Sequence, residues 1–162
     1  MNRKMQGTRA LRTLTLLVIS AVAWSFFAYS AGKAAKPAHP EVPRIPAGEL
    51  VQLLEKKADI VVVDTQSPDG YEMWHIPSAI NIPYVSTEDP TNRQLMLMGL
   101  PMEKLIVIYC LCEEGTDSAR MALELRQLGY DPEKIKVLEG GLIEWDEQGR
   151  PMMKQETLEQ AP

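Results

Sequence analysis

Leu105-Ile106-Val107-Ile108-Tyr109-Cys110-Leu111-Cys112-Glu113-Glu114-Gly115-Thr116-Asp117-Ser118-Ala119-Arg120 passes from an unbroken apolar, β-branched segment through a short polar turn into a helical pattern. An apolar run without polar alternation belongs to a strand buried on both faces, as in a parallel sheet covered by helices. The helix beyond the turn carries Ala119, Ala122, Leu123 and Leu125 at helical spacing and stops at Gly129. Ligands in such sheets bind outside the carboxyl ends of the strands, so this turn is also the place to look for chemistry.

The same alternation recurs on either side. Upstream, Ala47 to Lys56 sets Leu50, Leu53 and Leu54 on one helical face, Ile60-Val61-Val62-Val63 repeats the buried-strand pattern, and Ile80-Asn81-Ile82-Pro83 offers a further short strand. Downstream, Ile135-Lys136-Val137-Leu138 supplies another strand, and Leu142 to Gln148 a last helix ended by Gly149 and Pro151. Helices alternating with short apolar strands predict a three-layer α/β domain with a mainly parallel central sheet flanked by helices. The methionines between Met96 and Met102 precede the central strand and read as helix and loop packing, or as an adaptable apolar patch.

Outside that pattern the chain changes character. Arg3, Lys4, Arg9 and Arg12 put four positive charges ahead of an apolar stretch from Leu14 to Ala31. A basic flank before such a stretch predicts an N-terminal hydrophobic helix over residues 1–31, acting as a signal peptide or a transmembrane anchor. Ala28-Tyr29-Ser30 offers a small-x-small cleavage site, yet a stretch of ~18 residues also approaches the length that spans a bilayer. Both outcomes place the remainder outside the cytoplasm, in the periplasm or held to the membrane. Residues 32–44 contain Pro37, Pro40 and Pro43 and read as a linker, residues 45–152 as the domain, and 153–162 as a polar tail. Without those four positive charges, 13 basic residues face 22 acidic ones, a net of −9. A body that acidic lacks the basic stripe that nucleic-acid phosphates demand, so nucleic acid is excluded as a partner.

Four segments carry a family resemblance. Asp64 closes the first buried strand; Tyr71-Glu72-Met73-Trp74-His75-Ile76-Pro77-Ser78-Ala79-Ile80-Asn81-Ile82-Pro83 follows; then come Ile108 to Arg120, and Val137-Leu138-Glu139-Gly140-Gly141-Leu142-Ile143-Glu144-Trp145. In this order and spacing the chain resembles the rhodanese family from about Ile45 to Met152. The resemblance implies the α/β sulfurtransferase fold and sulfur transfer through a cysteine persulfide, from thiosulfate or a small or protein-borne persulfide to a thiophilic acceptor. It implies no cofactor, and it sets Asp64 and His75 near the site, His75 mainly as a structural turn residue. Trp74, Ser78 and Gln66 depart from the family pattern, and Asp117 stands where active members often carry arginine.

The chemistry has a physical basis. A loop joining a strand end to a helix N-terminus gathers backbone N–H groups around one point, and the helix dipole adds roughly half a positive charge there. A cysteine at that point loses its proton more readily, its pKa falling from ~8.5 into a range of ~3.5–7.5, and the thiolate is the nucleophile. Two cysteines compete for the position. Cys112-Glu113-Glu114-Gly115-Thr116-Asp117-Ser118 matches the family's Cys-x-x-Gly-x-x-Ser loop, whereas Tyr109-Cys110 matches its strand-ending pair. Cradle length favours Cys112, with Glu113, Glu114, Gly115, Thr116, Asp117 and Ser118 forming the substrate-binding loop and Cys110 a buried strand residue.

Glu113, Glu114 and Asp117 complicate the picture. At ~5 Å and an effective dielectric near ~20, each carboxylate would repel a unit negative charge by ~3 kcal/mol before screening. That favours a neutral or protein-borne persulfide over thiosulfate as donor, and it keeps open a catalytically idle fold used for binding or regulation. A Cys110–Cys112 redox couple is the further alternative, since an exported chain meets an oxidising compartment. Zinc is not expected, because two cysteines with the distant His39 and His75 lack ligand spacing, and a phosphatase reading lacks a loop arginine.

Overall fold

Ile60–Asp64 (β2) and Leu105–Tyr109 (β4) pair in parallel over their whole lengths, from Ile60 beside Leu105 to Asp64 beside Tyr109, in the computed structural model, which describes residues 36–85 and 90–154. Ile135–Leu138 (β5) pairs on the other side of β4, Ile80–Asn81 (β3) on the other side of β2, and Arg44–Ile45 (β1) on the outer edge of β5. The sheet therefore runs β1-β5-β4-β2-β3 with all its pairings parallel. The three longer strands are the β-branched runs, whose side chains suit a pleated surface buried on both sides.

Side-chain alternation divides the core into two layers. Val63, Ile106, Ile108, Ile135 and Val137 pack with Leu97 of α3 (Thr91–Met98) and with Met121, Ala122 and Leu125 of α4 (Thr116–Gln127). Val62, Val107, Tyr109 and Leu138 face the other way, onto Leu50 of α1 (Ala47–Glu55) and Leu142 and Trp145 of α5 (Gly141–Glu147). The short helix α2 (Pro68–Met73) starts at Ser67, whose hydroxyl accepts the Gly70 amide at 3.3 Å, with Pro68 supplying the fixed φ favoured at a first helical turn. This is the expected three-layer α/β arrangement, and each fully buried side chain of this size contributes ~1.5–3 kcal/mol.

The amino-terminal side of the domain differs from expectation. Val42 is 1% exposed and belongs to the first core layer, the Ala38 amide donates to the Glu114 carbonyl at 2.9 Å, and Arg44 begins β1. Residues 38–44 therefore lie on the domain and not apart from it as a spacer. Their prolines still leave enough donors to tie the strand down, because an edge strand pairs on one side only. At the far end, His75 and Met153 exchange backbone hydrogen bonds at 3.0 and 2.8 Å, so the domain reaches one residue into the expected tail. The expected hydrophobic helix of residues 1–31 lies outside the described residues; among the described residues no helix is long and apolar enough to cross a membrane.

Candidate active site

Register brings the site together. Ile108, Val137 and Arg44 share one register level across β4, β5 and β1, so Arg44 lies level with the carboxyl end of β4, one strand removed from where the chain turns into Cys110. The turn from Cys110 to Gly115 then feeds α4, a helix long enough to present amide donors and a dipole at its N-terminus.

Both cysteines are free thiols and their sulfur atoms stand 2.9 Å apart. Cys110 is 4% exposed; the Ser118 hydroxyl lies 3.6 Å from its Sγ, and the Ser118 amide faces the same sulfur. Helix α4 therefore aims its first turn at Cys110, two residues nearer the strand than loop length suggests. Cys112 is half-buried, the more accessible of the two thiols. Burial, reinforced by the contact with Cys112 and opposed by Ser118, pushes the Cys110 thiol up to about 11. Cys110 thus keeps its proton at neutral pH and can donate it toward the Cys112 sulfur.

The loop itself is held from several directions. The Leu142 amide donates to the Cys110 carbonyl at 2.9 Å and the Gly115 amide to the Cys112 carbonyl at 3.2 Å. Gly141 has φ +56°, and a Cβ there would stand 2.6 Å from both cysteine carbonyl oxygens, so only glycine permits this approach of α5 to the loop. Gly115, at φ +68°, caps α4 in the same left-handed region, and a Cβ on it would stand 2.7 Å from an Arg44 guanidinium nitrogen.

Arg44 is a site residue that sequence patterns did not single out. Its Nη2 donates to the carbonyls of Ala38 and, at 3.1 Å, Glu114, while its Nε is buried without a partner among the described residues. Burial lowers the affinity of this guanidinium for its proton, and the negative charge of Glu139 acts the opposite way. Arginine remains protonated in proteins, so a fixed cation is held at the cysteine turn, on the Glu114 carbonyl. A lone arginine opening a two-residue strand has no motif to announce it; its contact with Glu114 spans 70 positions.

The acidic side chains of the loop point elsewhere. Glu113 and Glu114 are exposed, and Asp117 is paired with Arg120 at 3.8 Å across one helical turn. Exposed carboxylates are screened by water and salt, so their repulsion of an anion at the sulfur falls well below the unscreened value. Thr116 opens α4, and Ser118 is fully buried, with its hydroxyl also donating to the Gly115 carbonyl at 3.1 Å. Leu111, between the cysteines, is exposed and borders a cleft of about 280 Å³ lined also by Trp74, Leu142, Ile143 and Met152.

Asp64 and His75 support the site from outside it. The buried Asp64 carboxylate accepts the Tyr109 hydroxyl and the Gln66 amide, so it fixes the last residue of β4 before Cys110. His75 stacks on Tyr71 with ring centres 4.0 Å apart, and its Nδ1 lies 2.8 Å from the Tyr71 carbonyl, a packing role.

A protein-family model described as "Rhodanese-like domain" matches residues 46–148. The chain is 30% identical over 101 residues to the "Adenylyltransferase and sulfurtransferase uba4" of Ogataea parapolymorpha, covering 62% of this chain and 24% of that protein. It is 28% identical over 92 residues to the "Thiosulfate sulfurtransferase GlpE" of Coxiella burnetii, covering 57% and 77% respectively. Among solved structures, a rhodanese-related protein of Thermoplasma volcanium superposes with a TM-score of 0.55 at 25% identity, over 68% of this chain and 97% of that one. The chain spans about a quarter of the yeast relative's length and most of the Coxiella protein's. With the fold, the strand-end cysteine turn and the Gly140-Gly141 element in place, the family match over residues 46–148 settles the affiliation: the chain belongs to the rhodanese-like domain family.

Proposed function

We propose that this protein is a sulfurtransferase in which Cys112 carries the sulfur. The observation that carries the reading is the placement of Cys112: half-buried at the mouth of the turn, 2.9 Å from a buried Cys110 thiol that retains its proton, with the Arg44 guanidinium nearby. The Cys112 thiolate attacks the outer sulfur of thiosulfate or a persulfide; the outer S–S bond breaks, sulfite or a thiolate leaves, and a persulfide anion remains on Cys112. A thiophilic acceptor then attacks the terminal sulfur and returns Cys112 to the thiolate, so the two half-reactions give ping-pong kinetics. The Arg44 cation beside the loop favours negative charge at the sulfur in both half-reactions. The relatives named as sulfurtransferases support the same chemistry.

Thiocyanate formation from cyanide, with thiosulfate and separately glutathione persulfide as donor, tests this reading. The wild-type chain and Cys110→Ser are expected to turn over and Cys112→Ser to be inactive, with all of them folded by circular dichroism. Turnover that persists in Cys112→Ser and disappears in Cys110→Ser would move the sulfur to Cys110.

We also propose that the domain works outside the cytoplasm, from the basic flank and apolar stretch ahead of residue 32. A reporter that fluoresces only in the cytosol, fused after Pro162, is expected to stay dark; bright cells would invert the topology.

A further inference from the structure

Sulfur transfer needs one thiol, and this turn holds two. An external donor reaches Cys112, whereas Cys110 is 4% exposed, so the partner within reach of the Cys110 sulfur is the Cys112 sulfur 2.9 Å away. A disulfide bond is ~2.04 Å long, so less than ~1 Å of closure separates the pair from bonding. Closure is also prepared by the backbone, because the cysteine carbonyls are pinned by the Leu142 and Gly115 amides and by the close approach of Gly141.

When Cys112 is persulfidated, its own Sγ becomes the inner sulfur, and that is the atom facing Cys110. Attack on an inner sulfur expels the outer one. We infer that Cys110 is a resolving thiol: it passes its proton to the outer sulfur of the Cys112 persulfide, attacks the inner sulfur as the thiolate so formed, closes a Cys110–Cys112 disulfide and releases hydrosulfide. The inference rests on the sulfur-transfer reading and adds a second activity to it. The balance is internal. Cys110 thiol plus Cys112 persulfide anion become the disulfide plus one hydrosulfide ion; the bond between Cys112 Sγ and the outer sulfur breaks, and the Sγ–Sγ bond forms. The outer sulfur is reduced to sulfide, the Cys110 sulfur is oxidised to the disulfide level, and the thiol proton leaves with the hydrosulfide. The Arg44 cation, held at the turn on the Glu114 carbonyl, favours the departing anion. An external dithiol then attacks the more exposed Cys112 sulfur and restores both thiols; a ring this small is strained, and strained disulfides are readily reduced.

This makes the protein a discharger of sulfane sulfur when no acceptor is at hand, with a dithiol as its second substrate. The test uses the full chain, fully reduced, desalted and kept free of oxygen, with one portion of thiosulfate or glutathione persulfide and neither acceptor nor reductant. The expected result is about one equivalent of hydrosulfide per chain, as one loaded sulfur requires, and an intact mass lighter by two hydrogens than the dithiol protein. Cys110→Ser, with Cys110→Ala in reserve should the serine variant not fold, is expected to stay heavier by one sulfur atom and to release no more hydrosulfide than Cys112→Ser. Should the wild-type chain keep the added sulfur and release no hydrosulfide, the resolving role is overturned and sulfur transfer stands. Should neither wild type nor the Cys110 variants gain sulfur or release sulfide, the sulfur-transfer reading itself falls.

Discussion

The Tyr109 hydroxyl donates to the Asp64 carboxylate at 2.5 Å while accepting the Ile76 amide at 3.0 Å. One buried phenol thus ties the last residue of β4 to the end of β2 and to the turn before β3, immediately ahead of Cys110. Tyr109→Phe leaves the carboxylate with one donor fewer and the Ile76 amide unpaired, at an expected cost of ~1–3 kcal/mol in urea denaturation. A change within error would show that the pair does not hold the strand end.

Asp64 makes stability depend on pH. Burial raises its pKa above the ordinary carboxyl value, against the donations from Tyr109 and Gln66 that act the other way. The folded chain therefore holds this proton more tightly than the unfolded one. The resulting stability is fully present below the unfolded carboxyl value of ~3.9 and is lost as pH rises through the raised folded value. Asp64→Asn is expected to flatten the pH dependence of stability above pH ~4. An unchanged slope in denaturation series across that window would contradict the assignment.

Arg44 is expected to matter for charge more than for packing. Arg44→Gln should raise KM for thiosulfate on the order of tenfold, equivalent to ~1.4 kcal/mol, and affect a neutral donor less. Arg44→Lys should recover part of the loss, since it restores the charge without the planar fork. Equal losses for charged and neutral donors would assign Arg44 a purely structural part.

Gly141→Ala places a methyl group 2.6 Å from the Cys110 and Cys112 carbonyls at a positive φ. The left-handed conformation alone costs an alanine ~1–2 kcal/mol, and the loop must move as well. Activity should therefore fall more than the loss of stability explains, measured as kcat/KM beside thermal unfolding. Full activity with reduced stability would mean that the loop geometry is not critical.

Much of this was legible from side-chain pattern alone. The buried strands β2, β4 and β5 and the helices α1, α4 and α5 appear as apolar runs and helical faces, because burial on both sides of a parallel sheet forces that composition. Arg44–Ile45 was not, since two residues between Pro43 and Pro46 carry no period; pairing with Val137 and Leu138 makes them a strand. Nor was α2, although Ser67-Pro68 is a start signal, because no apolar face follows it. At the site, loop length favoured Cys112, and the structure aims Ser118 at Cys110 while leaving Cys112 at the mouth. Both frames therefore describe part of one site. The guanidinium of Arg44 reaches the turn only because folding brings together segments 70 positions apart.

The most direct test of the central claim is to locate the transferred sulfur atom. Cys110→Ser is loaded with glutathione persulfide, trapped with iodoacetamide, digested and mapped by mass spectrometry. The account predicts the added sulfur on Cys112. An unmodified Cys112 in folded, donor-treated protein would contradict it.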